Sequence, residues 1–148
     1  MAEAPRTSGP FARLLGVEVV SQSDEGTVLA LDAGPDLERE GGILHGGVLM
    51  SLLDMAMAGS VARTLEPGQT TASVSITTDF LRPATQGRLV ARGVLVRRGA
   101  TMAFPVGELH DASGKLVARA TGVWAIRAKG AGGGRGEGTG DGAGRGTG

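Results

Sequence analysis

Gly41-Gly42-Ile43-Leu44-His45-Gly46-Gly47 runs directly into the apolar segment Val48-Leu49-Met50-Ser51-Leu52-Leu53, which carries a single carboxylate, Asp54. Each part has a use in carbonyl chemistry. Glycines let a ligand approach backbone N–H groups closely, and the first turn of a helix leaves such groups unpaired and partially positive. A helix opening at Gly46 therefore offers a donor to an oxygen that gains negative charge. Asp54 sits among Leu52, Leu53, Met55, Ala56 and Met57, where burying an acid is costly. Burial raises a carboxyl pKa but leaves an aspartate with the ionised fraction that a general base needs. Donor and carboxylate on one apolar helix have the layout of a hydrolytic site. The plain alternatives are glycines that only ease packing at the helix entry, and an acid paired with an arginine across a subunit interface.

The remaining reactive side chains narrow the chemistry. His45 is either a base with a pKa near working pH or the residue that ties down the glycine loop. His110, beside Asp111 at a hairpin, reads as a solvated turn residue. Two histidines without HExxH spacing make no recognisable metal site, and no cofactor is implied. Ser73 lies outside any G-x-S-x-G elbow and is a poor serine nucleophile. The absence of cysteine excludes disulfides, thiolate metal sites and cysteine nucleophiles.

These residues need elements to hold them. The first 15 residues read as an arm plus a short helix, Pro10-Phe11-Ala12-Arg13-Leu14-Leu15, that stops at Gly16. Residues 17–21 and 27–33 are β-rich runs joined by the turn Asp24-Glu25-Gly26, and an irregular loop follows through Gly42. The helix from Gly46 to Thr64 is apolar nearly all round, which indicates burial on most sides, and Glu66-Pro67-Gly68 ends it. Four strands follow, at 70–81, 88–98, 101–110 and 115–127. In the first, alternation puts Ala72, Val74, Ile76 and Phe80 on one face and Ser73, Ser75, Thr77 and Asp79 on the other. Gly99-Ala100 and Asp111-Ala112-Ser113-Gly114 have hairpin chemistry. One long helix wrapped by a curved antiparallel sheet is the economical way to bury it, so the fold class is α+β. Phe80, Phe104, Trp124, Met50, Met55 and Met57 are candidates to line an acyl pocket, but each reads first as core.

Composition bounds the rest. The chain of 148 residues has 15 basic and 15 acidic side chains, so its balance suggests neither a nucleic-acid nor a membrane-surface partner. No apolar run approaches the roughly 20 residues of a transmembrane helix. The start of the chain lacks the hydrophobic core of a secretory signal, and a cytoplasmic location is expected. Residues 129–148, mostly glycine with no apolar side chain larger than alanine, are expected to be a disordered tail after a domain spanning 16–128.

With these elements in order, the chain resembles the hotdog fold, and more narrowly the PaaI-like acyl-CoA thioesterases. The matching segments are Gly42-Ile43-Leu44-His45-Gly46-Gly47 through Asp54, Ser73-Val74-Ser75-Ile76 through Phe80-Leu81-Arg82-Pro83, and Val96-Arg97-Arg98-Gly99 with Gly114-Lys115-Leu116-Val117-Ala118. The resemblance implies hydrolysis of acyl-CoA thioesters, with the Gly46 N–H on the thioester carbonyl and Asp54 as nucleophile or general base. It further implies that Ser73 positions water and that His45 supports the loop. Gly47 joins the substrate-binding set by the same resemblance, and CoA phosphates would meet arginines such as Arg82, Arg97 and Arg98, with Lys115 and Arg119 nearby. A homodimer or homotetramer is implied as well, and pairing sheet edges removes exposed strands. Many relatives carry Asn or Gln six residues before the histidine, whereas this chain has Arg39, which donates but cannot accept. That departure keeps open a rival reading, a non-catalytic acyl-CoA-binding module. A hotdog hydratase ranks third, because Gly46-Gly47-Val48-Leu49 stands where those relatives carry a proline-rich segment.

Overall fold

The computed structural model describes residues 9–130. The expected tail after 130 and the arm before Gly9 lie outside the described residues. A short helix, α1 (Pro10–Leu15), leads into the hairpin β1 (Glu18–Ser23) and β2 (Gly26–Ala33). The loop expected through Gly42 contains a 3₁₀ turn at Pro35–Leu37 and a two-residue ladder, β3 (Glu38–Arg39) with β4 (Ile43–Leu44). The long helix α2 (Gly46–Ala62) follows, then β5 (Gln69–Phe80), β6 (Gly87–Arg98), β7 (Met102–His110) and β8 (Leu116–Ala128). One α-helix wrapped by strands matches the α+β expectation.

The six long strands form one antiparallel sheet in the order β1-β2-β6-β7-β8-β5. β5 follows the helix in sequence but sits at the far edge, against β8. The chain leaves β2, crosses the sheet as α2 and returns at the opposite side, so the sheet curls round the helix with β1 and β5 as its free edges. Leu49, Leu52, Leu53, Ala56, Met57 and Val61 of α2 are buried against Leu29, Leu31, Leu89, Leu109, Val117 and Trp124 of the sheet. Contact is close enough to require glycine: a Cβ at Gly93 of β6 would collide with the Ala56 carbonyl.

Two features depart from the strand reading. β5 has a bulge between Ser73 and Ser75. The extra residue, Val74, shifts the alternation by one, so Thr71 and Ser73 share a face with Ile76 and Thr78. Ala72 and Val74 therefore do not join Ile76 and Phe80 as expected, and Val74 is exposed. The core assignment holds for Trp124 and Met57 but not for all six residues. Phe80 is 54% exposed at the end of an edge strand, Met50 is exposed on α2, and Phe104 lies on the outer face of the sheet. Each position is apolar without being covered by this chain.

Candidate active site

The entry to α2 is held by several hydrogen bonds. The His45 N–H donates to the Leu37 carbonyl at 2.8 Å, and the Leu44 N–H donates to the Ala84 carbonyl at 2.8 Å. His45 is the N-cap: its Nδ1 accepts the Gly47 N–H at 2.9 Å, and its carbonyl accepts the Val48 N–H at 2.9 Å. With Nδ1 accepting, a neutral ring carries its proton on Nε2. The Gly47 N–H is thus occupied within the chain. The Gly46 N–H, between these two, meets no acceptor among the described residues.

A cavity of about 320 Å³ opens beside Gly46, lined by Arg39, Ile43, Leu44, Leu49, Phe80, Leu81, Arg82, Pro83 and Ala84. The Phe80 ring lies over Gly46, so that a Cβ there would stand 3.3 Å from the ring. Arg39 and Arg82 are anchored by carbonyls, Arg39 Nη1 donating to Glu40 at 3.0 Å and Arg82 Nη1 to Leu116 at 2.7 Å. Two arginines and the glycine with the free N–H thus line one hollow whose other walls are apolar. Sequence reading missed the wall formed by Leu81, Pro83 and Ala84, although the Arg82-Pro83 strand stop marks the place.

The other arginines lie elsewhere. A bulge between Leu95 and Arg97 sets which face each of the next two residues of β6 takes. Arg97 stands opposite the outward Phe104, while Arg98 stands opposite the buried Ala103 and donates to Gln69 Oε1 at 2.9 Å. Arg119 pairs with Asp79 at 3.0 Å on the outer face. His110, expected in a turn, ends β7 half-exposed, with its Nε2 4.0 Å from Glu108. Among the described residues no group of three or more His, Asp or Glu side chains converges as a metal site.

Asp54 occupies the middle of α2, half-buried, with Oδ1 enclosed and lacking a hydrogen-bond partner among the described residues. Burial pushes its carboxyl up from the ordinary aspartate range, and hydrogen bonding with the Ser73 side chain pulls it partly back. The β5 bulge is what turns Ser73 toward the helix. Asp54 and Ser73 are therefore brought together. Asp54 and Gly46 are not: eight residues of α-helix separate them by about 12 Å.

An apolar helix with a free N–H at its start, and a desolvated carboxylate two turns on, wrapped by this sheet, defines a class. The chain belongs to the Thioesterase superfamily, whose family model matches residues 41–118, and its fold is the hotdog fold. Among its relatives, the medium/long-chain acyl-CoA thioesterase YigI of Escherichia coli K12 is 32% identical over 133 residues, covering 79% of this chain and 85% of that protein. The crystal structure of AziG from S. sahachiroi superposes with a TM-score of 0.76 at 34% identity, covering 81% of this chain and 98% of that one. PaaI of E. coli, from the phenylacetic acid degradation operon, superposes with a TM-score of 0.74 at 25% identity, covering 79% and 83%. No helix among the described residues is long and apolar enough to cross a membrane.

Proposed function

We propose that this protein hydrolyses acyl-CoA thioesters to the free acid and CoA. The observation that carries the reading is the pair of unsatisfied groups on α2, a Gly46 N–H without an acceptor and an Asp54 carboxylate without a full set of donors. The thioester oxygen would accept from the Gly46 N–H, which stabilises the charge that builds on it. Asp54 would take a proton from water as the hydroxyl bonds to the carbonyl carbon, with Ser73 orienting that water. Collapse of the tetrahedral intermediate breaks the C–S bond, and the thiolate of CoA leaves and is protonated. Attack by the carboxylate itself, through an anhydride, uses the same residues. Arg39 and Arg82, which line the cavity, would hold CoA phosphates.

The 12 Å between Gly46 and Asp54 exceeds what one carbonyl and its attacking water can span. A second copy, related by a two-fold axis near Met50, would set the Gly46 of one helix opposite the Asp54 of the other. The exposed Met50 midway between them and the free edge of β5 support a homodimer built this way.

The deciding experiment measures free-thiol release from aryl- and aliphatic-acyl-CoAs by wild type and Asp54→Asn. Wild-type turnover that falls by about 10²-fold or more in the variant, with ligand binding kept, is the expected result. Tight binding without turnover by wild type would favour the acyl-CoA-binding module, which Arg39 at the usual amide position supports. Equal turnover in both would assign the base elsewhere.

A further inference from the structure

We propose that the outer face of the sheet is an interface between two copies of this chain, packed face to face about a two-fold axis that runs parallel to the strands between β7 and β8. The inference is separate from the helix-side pairing above and does not rest on it. Along β7, Ala103, Pro105, Gly107 and Leu109 turn inward, while Met102, Phe104, Val106 and Glu108 turn outward and are exposed. The two bulge residues, Val74 of β5 and Val96 of β6, are exposed as well. Apolar side chains gathered on one open face mark an interaction surface.

A row of charges beside this stripe identifies the partner. Strand register sets Asp79 of β5 against Arg119 of β8, Arg119 against Glu108 of β7, and Glu108 against Arg92 of β6. All four are exposed. Across the four strands the signs therefore alternate, acid, base, acid, base, with no net charge. Such a row gives a polyanion or a polycation no advantage. It matches a surface that carries the same alternation in reverse order.

A second copy carries that reversed row. Rotation about an axis parallel to the strands exchanges left and right across the sheet. With the axis between β7 and β8, Arg119 faces Glu108 of the partner subunit and Asp79 faces Arg92 of the partner subunit. An axis perpendicular to the strands and passing through the row would set each charge against its own copy. The charges thus choose one direction of the axis. The same rotation lays the apolar stripe on itself, as in a pair of aligned sheets about 10 Å apart. A hollow of about 360 Å³ between Phe104, Val106 and Thr121 leaves room for side chains of the opposing sheet.

The test follows the mass of the full chain by sedimentation equilibrium, for wild type, Arg119→Glu, Glu108→Arg and an equal mixture of the two variants. Arg119→Glu sets acid against acid beside the axis, and Glu108→Arg sets base against base. Either variant alone should weaken face-to-face association by about tenfold or more and so halve the wild-type mass, whatever the helix-side pairing contributes. In the mixture all four facing pairs are again opposite in sign, so the wild-type mass should return. Phe104→Ser tests the apolar stripe without changing charge and should also halve the mass; it decides the question where a charge reversal prevents folding. A monomeric wild type overturns the proposal and leaves the face to some other partner. A wild-type mass that all three variants keep also overturns it. Halved masses that do not recover on mixing overturn the axis.

Discussion

The two halves of α2 have opposite chemistry. Its first turn supplies a free Gly46 N–H and the positive end of the helix, beside a hollow that Arg39 of β3 and Arg82 after β5 also line. Its middle supplies an acceptor, Asp54, whose carboxyl burial pushes up and one of whose oxygens is unpartnered. The dipole gives no help there, because its influence fades within the first turn. The first half suits an oxyanion and the second suits a proton transfer. A single helix keeps them two turns apart, so on the proposed reading each chain carries two half-sites.

The strongest way to break this comparison is to divide it between subunits. Gly46→Pro and Asp54→Asn should each be nearly inactive, yet chains of the two variants mixed and reassembled should recover a substantial fraction of wild-type activity. Each mixed dimer would hold one intact donor facing one intact carboxylate. No recovery on mixing would mean that both groups must act within one chain.

Gly46→Pro alone isolates the donor half. Proline is well tolerated at the first helical position, and His45, with ψ 133°, already has the extended backbone that a following proline demands. The variant should therefore keep its helix by circular dichroism while kcat falls by about 10²–10³-fold, the usual effect of losing one oxyanion donor. A smaller loss would show that the N–H is not aimed at the reacting oxygen.

The acceptor half is sharpened by pH. A raised carboxyl is protonated at low pH, so the rate should climb as pH rises through the Asp54 pKa, above the ordinary aspartate range. Ser73→Ala removes the hydrogen bond that holds this carboxyl down, so the acidic limb should move to higher pH. Stability has the opposite slope. The folded state binds this proton more tightly than the unfolded one, so stability from this group is present at low pH. It is lost as pH rises from about 3.9 through the folded pKa. Asp54→Asn should flatten that slope in chemical denaturation, and an unchanged slope would mean that burial does not perturb Asp54.

Much of this was legible along the chain. The helix begins at Gly46 as expected, because glycine, apolar run and proline stop are local signals. The strands fall within a residue or two of their expected bounds for the same reason. The face of Ser73 was misread. Strict alternation places it opposite Ile76, but the bulge at Val74 resets the count, and nothing local in Ser73-Val74-Ser75 announces a bulge. Arg97 and Arg98 share the difficulty, since the bulge at Val96 decides which face each one takes.

The sequence by itself determined the apolar helix, its glycine entry, the lone acid within it and the antiparallel class of the sheet. Those follow from composition and period, which act over a few residues. Only the tertiary structure decided that β5 closes the far edge beside β8, that Ser73 turns toward Asp54, and that Arg39 and Arg82 share a hollow with Gly46. It also decided that Asp79, Arg119, Glu108 and Arg92, from four different strands, stand in one row across the sheet. Such pairings depend on strand register and on how closely backbones approach, and both are set by contacts between distant segments.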